Sequence, residues 1–436
     1  MGSSSKRRKR QPQGEQHNQQ SSEDYGEDDI SSFTSRVAIF GDSNLALLAS
    51  FFMLVVAILV ATSLNDAPQR KHAARAPKKR PTTANIYIFD ETNVALVSPG
   101  MMKEYERDGL IAIRGLLEKD LLDQLDVSSA KIVQEHKLKT KRGRGTQFFQ
   151  VEVGIALVNK AFQDVALASS RVPSIAATLL RLADNSTMRM MRDIFLVKDD
   201  DQYICGWHTD DTGFWPATGT APGVNAWIAL DDMPLEGGGG FALAVGSHAA
   251  SWRQEAHKVT GSTRTLPEHG FRDVADMFAN RTGSGTCNIK TSAPHLHGRM
   301  EESRRVYDIK RGDVIFHDRW LFHRTEPFDK QFASHMEDPL YRRYSVRYGP
   351  GSSIIPPGYG LELSVLWNKE NAGRSADDVS ERDGPWYPRC WPSVDATEME
   401  ELPSLIRDKM PVAEAARKAR QKEMKPYLED MRKNQT

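Results

Sequence analysis

Cysteine is scarce in this sequence, with Cys205, Cys287 and Cys390 the only three among 436 residues. So few thiols exclude a disulfide-dependent scaffold and a zinc module built from cysteines alone. Charge of one sign is not in excess either, because 58 basic residues balance 58 acidic ones. The chain as a whole therefore lacks the positive bias of a nucleic-acid-binding protein, and we expect no nucleic-acid partner.

Long hydrophobic runs are missing except at residues 45–64, which read LALLASFFMLVVAILVATSL and carry no charge. A helix of this length spans about 30 Å, the thickness of the hydrocarbon core of a bilayer. Buried helices of globular proteins seldom run so far without a charge, and the apolar part of a cleaved signal peptide is shorter. The run predicts one transmembrane helix.

Composition divides the rest of the chain. Residues 1–44 are polar and predict a disordered tail, and residues 65–90 form a basic stalk that contains proline. Residues 91–370 have the pattern of a globular domain with an insertion at about 249–312. Residues 371–436 predict a loop-rich segment that ends in a charged helix.

Two sequence features give opposite orientations for the predicted membrane helix. Six basic residues lie between positions 70 and 80, whereas only Arg36 precedes the run closely, which places the C-terminal domain in the cytosol. Against this, the tail would have to cross the membrane with five consecutive basic residues at 6–10, and sequons at Asn185 and Asn280 permit lumenal glycosylation. We expect a single-pass protein of the endoplasmic reticulum or Golgi with a lumenal catalytic domain.

The globular region begins with helical spacing and continues with short strand patterns. Helices are predicted at 101–108, 118–137 and 165–183, the last divided at Pro173, with a strand at 110–114. Further strand patterns follow at 193–198, 224–230, 240–245, 313–317 and 343–348. This order predicts a mainly β domain with flanking helices (α+β), a sandwich or jelly roll.

A candidate metal site lies in the segment Gly206-Trp-His-Thr-Asp-Asp-Thr-Gly. Residues two apart in a strand share a face, so His208 and Asp210 can reach one ion. With a second histidine they would form the face of two imidazoles and one carboxylate that suits non-haem Fe(II). The triplet alone has little specificity, because a polar strand end has the same pattern.

Downstream segments offer the missing partners. A Gly312-Asp turn leads into a strand, and His323 follows at its far end. In the next strand, Arg343 and Ser345 share a face, and a guanidinium with a neighbouring hydroxyl can bind a carboxylate.

In these segments the chain resembles the phytanoyl-CoA dioxygenase family of Fe(II)- and 2-oxoglutarate-dependent oxygenases. The likeness covers roughly residues 98–350. Five pieces match in order: YERDGLIAIRGLL from Tyr105, WHTD from Trp207, NAWIALDD from Asn225, GSH from Gly246, and the Gly-Asp strand to His323 with its Arg-x-Ser successor.

The resemblance implies a double-stranded β-helix, the cupin-like jelly roll, with iron on His208, Asp210 and His323. It implies that Arg343 and Ser345 bind 2-oxoglutarate and that Trp227 lies beside it. The enzyme would use O2 and 2-oxoglutarate, with ascorbate as an auxiliary, and would hydroxylate a small-molecule or lipid substrate with release of succinate and CO2. Because related halogenases give up the carboxylate, Asp210 favours hydroxylation.

Several alternatives stay open from the sequence. Arg342 takes the co-substrate role if the strand register differs by one residue, and Arg347 shares the face of Arg343. A catalytically silent jelly-roll binding module and a membrane-tethered interaction protein are the alternative functions. The sequence does not identify the substrate.

Overall fold

The computed structural model divides the chain into two units, Met1–Lys78 and Lys79–Thr436. It describes residues 82–408 and a few isolated residues from 411 to 426. The gaps within that range are 84, 90–95, 141–148, 168–169, 200–205, 211–214, 216, 218–220, 253–254, 256–288, 337–339, 356–372, 384–385, 394–396 and 398.

The predicted tail (1–44) and transmembrane helix (45–64) lie outside the described residues, as do most of the stalk and most of the C-terminal helix. Among the helices that are described, none combines the length and the apolar character needed to cross a membrane.

Strands make up the centre of the described domain. They are β1 (Thr82–Thr83), β2 (Tyr87–Ile88), β3 (Leu110–Arg114), β4 (Phe149–Val153), β5 (Met188–Asp199), β6 (Val224–Ala229), β7 (Phe241–Ala244), β8 (Arg304–Val306), β9 (Val314–Asp318), β10 (His323–Thr325), β11 (Leu340–Pro350) and β12 (Arg389–Trp391).

The helices flank these strands. They are α1 (Pro99–Asp108), α2 (Lys119–Thr140), α3 (Lys160–Ala166), α4 (Val172–Leu179), α5 (Ile289–Ser292), α6 (Pro294–Glu302), α7 (Lys330–Ala333) and α8 (Ala376–Asp383). The first helix shows how sequence sets its ends. Ser98 accepts a hydrogen bond from the Met101 N–H, and Gly109 ends the helix at a positive φ of 80°.

Two sheets form the described domain. The larger has the order β12-β5-β11-β6-β9-β3-β2, with β4 also paired to β5, and the smaller has the order β1-β8-β7-β10. Pairing is antiparallel except for β1 with β8 and β2 with β3. The architecture agrees with the predicted mainly β fold and flanking helices and is consistent with a cupin-like oxygenase fold.

The alternation of side chains along β11 separates two environments. Tyr344, Val346 and Tyr348 belong to the large apolar core that also includes residues of α3 and α4. Arg343 and Arg347 lie on the opposite face, where each contacts a residue of the candidate site. A second apolar cluster, which includes Trp227 of β6 and Phe241 of β7, joins the two sheets. The site therefore lies on the face of the large sheet that is turned toward the small one.

The predicted helices and strands have observed counterparts, and the structure adds further elements, among them β4, β8 and β12. Pro173 falls at the start of α4, so the helical pattern at 165–183 is divided as expected. The segment 249–312, expected to be an insertion with few strand signals, contains β8, a strand of the smaller sheet. Its sequence, Arg-Arg-Val, is too short and too polar to show an alternating pattern.

Candidate metal centre

The segment that carries His208 lies against β10, and the backbone joins two of the predicted ligands directly. The His208 N–H donates to the His323 carbonyl at 3.0 Å, and the His323 N–H donates to the His208 carbonyl at 2.9 Å. This pair of hydrogen bonds brings the two imidazole rings to a centroid separation of 4.5 Å. The spacing of the two ligands is thus set by backbone pairing.

Asp210 completes the cluster. Its Oδ1 lies 3.3 Å from His323 Nε2 and 3.8 Å from His208 Nε2. One ligand atom from each of the three residues falls within 4.8 Å of the others, and no further group of this kind is found among the described residues. Two imidazoles and a carboxylate with this spacing can hold a transition metal ion.

Hydrogen bonds to backbone carbonyls orient both histidines. His208 Nδ1 lies 2.8 Å from the Gly206 carbonyl oxygen, and His323 Nδ1 lies 3.0 Å from that of Leu321. A carbonyl oxygen only accepts, so each Nδ1 carries the proton and donates. When the ring is neutral, its lone pair is then on Nε2, the atom that faces Asp210, and such hydrogen bonds are typical of metal-binding histidines.

Asp210 is ionised in this arrangement. Burial alone would raise its pKa, but Arg347, followed by His323 and His208, outweighs burial and holds the pKa well below the ordinary aspartate value. Arg347 donates from Nη2 to Oδ2, the carboxylate oxygen that does not face His323. One oxygen of the carboxylate therefore faces a guanidinium, and the other oxygen faces the two imidazoles.

Arg343 lies four residues before Arg347 on β11, and its side chain contacts β10. Its Nη1 donates to the Thr325 hydroxyl at 2.9 Å, and its buried Nε has no hydrogen-bond partner among the described residues. Burial lowers the pKa of Arg343 to about 10, so the side chain is still a cation at neutral pH. A partly buried cation with an unused donor can bind an anion such as a carboxylate.

The other predicted residues have separate positions. Arg342 points to the opposite face, where it pairs with Asp231 and Asp126. Ser345 lies between Arg343 and Arg347 on their face and is opposite Trp227 in the strand register. Trp227 is 3% exposed and stacks on Phe241 with ring centroids 4.9 Å apart.

Sequence reasoning missed two contributors to the site, Thr325 and Ser247, and did not predict the partner of Arg347. Thr325 follows His323 by two residues and so shares its strand face, a spacing that could have identified it. Arg347 shares the strand face of Arg343, as expected, but its contact with Asp210 joins residues 137 positions apart and no local pattern indicates it. Ser247 accepts a hydrogen bond from the Phe322 N–H at 2.9 Å and so fixes the residue before His323.

Nearby histidines outside the cluster have other contacts. His317 of β9 is 1% exposed, and its ring centroid lies 5.0 Å from that of His323. Burial lowers the pKa of His317 to about 3, so this ring is neutral. His248 Nε2 lies 3.2 Å from the Glu106 carbonyl oxygen, in the turn that contains Ser247. The sequence Gly246-Ser-His thus forms a turn.

Comparison with protein families gives a match over residues 105–329, about half of the chain, to the model described as Phytanoyl-CoA dioxygenase (PhyH). A search among curated proteins finds no significant match.

Several solved structures are similar in part. The non-heme alpha ketoglutarate dependent carbocyclase SnoK from nogalamycin biosynthesis has 18% identity and a TM-score of 0.45, over 67% of this chain and 96% of its own. The epimerase SnoN, in complex with Fe3+, alpha ketoglutarate and nogalamycin RO, has 16% identity and a TM-score of 0.43, over 67% and 100%. EctD from S. alaskensis, with 2-oxoglutarate and 5-hydroxyectoine, has 15% identity and a TM-score of 0.42, over 69% and 94%.

Proposed function

Because this chain belongs to the phytanoyl-CoA dioxygenase family of Fe(II)- and 2-oxoglutarate-dependent oxygenases, we propose that it is a membrane-anchored enzyme that hydroxylates a small molecule or a lipid. The observation that carries the proposal is the cluster of His208 Nε2, Asp210 Oδ1 and His323 Nε2. Arg343 shares a face of β11 with Arg347, which contacts Asp210 of the cluster.

The donor set fits Fe(II). Two neutral imidazoles and one ionised carboxylate would hold the ion, and their backbone and guanidinium contacts hold the side chains in place without it. When bound, the metal supplies the oxygen chemistry that couples decarboxylation of 2-oxoglutarate to oxidation of the substrate. Loss of His208 or His323 would remove a third of the protein ligands.

The surroundings of Arg343 fit the distal carboxylate of 2-oxoglutarate. The guanidinium would bind that carboxylate through the Nε that lacks a partner in the described part of the chain. The Thr325 hydroxyl holds Nη1 and so limits the rotation of the guanidinium. Ser345 would add a hydrogen bond from the same strand face, and Trp227 would provide an apolar wall that excludes water.

The proposal that the enzyme is anchored depends on the hydrophobic run at residues 45–64. A single helix of that length would hold the catalytic domain at a bilayer, where lipophilic substrates concentrate. Hydroxylation is favoured over halogenation because the carboxylate of Asp210 is present in the cluster. We further propose the lumenal orientation, in which Asn185, an exposed residue in a turn before β5, would be open to glycosylation.

The test uses the full chain in detergent micelles with Fe(II), ascorbate, O2 and 2-oxoglutarate. Succinate release is expected from the wild type, none from His208→Ala, and the wild-type rate from His295→Ala. His295 is a suitable control because it pairs with Glu255 on the surface. Absence of succinate together with absence of anaerobic Fe(II) and 2-oxoglutarate binding would favour a silent binding module.

Anchoring and orientation are tested separately in membranes. The full chain is expected to resist alkaline extraction, and a variant without residues 45–64 is expected to be released. Digestion with a peptide N-glycosidase should shift the mobility of the wild type more than that of Asn185→Gln. An unchanged mobility in both would argue against the lumenal orientation at this residue.

A further inference from the structure

Arg347 is an unexpected neighbour for a metal ligand, because a cation next to a metal site opposes the charge of the ion. It is nevertheless 2% exposed and donates to Asp210, which is 8% exposed. A buried ion pair of this kind is weak evidence for stability, since desolvation offsets much of the attraction. The contact therefore requires an explanation other than the stability of the fold.

The strand register adds to the energetic cost of burying Arg347. Its direct cross-strand partner on β5 is Arg192, which is 7% exposed, and its partner on β6 is Asn225. Like charges directly opposite each other in a sheet are destabilising. The fold accepts a second buried arginine here, and the carboxylate that Arg347 contacts is the one that belongs to the metal cluster.

The contact assigns separate partners to the two oxygens of Asp210. Oδ2 receives the guanidinium, and Oδ1 faces His323 Nε2 at 3.3 Å and His208 Nε2 at 3.8 Å. The histidines are already fixed by their carbonyl hydrogen bonds, so Asp210 is the ligand whose orientation a side chain controls.

We infer that Arg347 is a positioning residue for the metal site, which holds one oxygen of Asp210 so that the other is presented to the ion beside the two imidazoles. This inference depends on the proposed function, because it assumes that the cluster binds metal. It gives Arg347 a role distinct from that of Arg343, which lies nearer the start of the strand and contacts Thr325.

The direction in which metal affinity changes when Arg347 is replaced distinguishes a positioning residue from a residue that is only close to the site. Removing a cation next to a divalent ion strengthens metal binding by simple electrostatics. Removing a residue that orients a ligand weakens metal binding, and loss of such partners typically costs about 10- to 100-fold in affinity. The two explanations predict opposite changes.

The experiment measures Co²⁺ affinity of the full chain in detergent micelles without 2-oxoglutarate, from the visible absorption of the bound ion. Arg347→Met is expected to bind Co²⁺ about 10- to 100-fold more weakly than the wild type. Arg347→Lys, which keeps the charge but not the planar fork, is expected to lie between them. The absorption spectrum at saturation should also change in Arg347→Met, because the orientation of the carboxylate affects coordination.

Arg342→Met is the matched control. It removes an arginine and its ion pairs from the same strand but from the opposite face. It is expected to lower the unfolding temperature and to leave Co²⁺ affinity unchanged, whereas a general loss of stability would weaken binding in both variants.

Unchanged or tighter Co²⁺ binding by Arg347→Met would overturn the inference. If that variant fails to fold, Arg347→Lys decides: weaker binding than the wild type supports the inference, and equal or tighter binding overturns it. Failure of the proposed function is distinguishable, because the wild type would then bind no Co²⁺ and release no succinate.

Discussion

Replacement of Arg343 by glutamine tests the co-substrate site most directly. Burial lowers the pKa of Arg343 to about 10, from an ordinary arginine value above about 12. At about 1.4 kcal/mol for each factor of ten, the partly buried cation lacks at most about 3 kcal/mol of the stabilisation that it would have in water. An incoming carboxylate can restore a similar amount, because it pairs with the guanidinium where water cannot. Arg343→Gln should therefore bind 2-oxoglutarate about 100-fold more weakly.

The assay is a titration of 2-oxoglutarate into the Fe(II)-loaded protein under anaerobic conditions, alongside its KM in succinate release. Arg343→Lys should fall between wild type and Arg343→Gln, because lysine keeps the charge but loses the second hydrogen bond. Iron affinity without 2-oxoglutarate should not change in either variant. Arg342→Gln should keep the wild-type affinity, because Arg342 pairs with Asp231 on the other face. A shift of less than about threefold for Arg343→Gln would refute the assignment.

Three further predictions concern the framework of the site. Phe162→Ala should lower the free energy of unfolding by about 3–5 kcal/mol in denaturant titration, because the ring is fully buried; a loss below about 1 kcal/mol would contradict this. Gly223→Ala should cost about 1–3 kcal/mol, since a Cβ there would lie 2.2 Å from the Trp215 ring; wild-type stability would contradict this. Burial raises the pKa of Asp193, so the folded state binds its proton more readily than the unfolded state. The stability of wild type relative to Asp193→Asn should thus fall as pH rises above about 4. Thermal unfolding of both proteins from pH 4 to 8 measures this difference in stability, and a difference that stayed constant or rose with pH would disprove the prediction.

Local patterns in the sequence were enough to predict most of the elements around the site. Alternation along β11 placed Arg343, Ser345 and Arg347 on one face and Arg342 on the other, which is the arrangement observed. The metal cluster followed from a short motif combined with the order of matching segments. His323, expected at the far end of the strand that follows Gly312-Asp, instead begins the separate strand β10.

The contacts that distinguish one arginine from another could not be predicted in this way. Alternation gives the strand face on which a residue lies but not its distance to a loop. The contact of Arg347 with Asp210 therefore could not be predicted from alternation. The same limit applies to β8, which has three residues and pairs with β7. Such a strand owes its place to tertiary contacts, because its own sequence carries almost no period.

The reciprocal backbone hydrogen bonds between His208 and His323 also bear on how the protein acquires metal. These residues are 115 positions apart, and bringing the ends of so long a segment together costs about 4 kcal/mol of chain entropy. Here the formation of the sheet offsets that loss of entropy during folding, so metal binding is not needed to bring the two segments together. This differs from small zinc domains, in which metal binding and folding are one event. Removal of the metal with a chelator should leave the circular dichroism spectrum and the slow amide exchange of both histidines almost unchanged, and a rapid loss of this protection would show that the ion holds the two segments together.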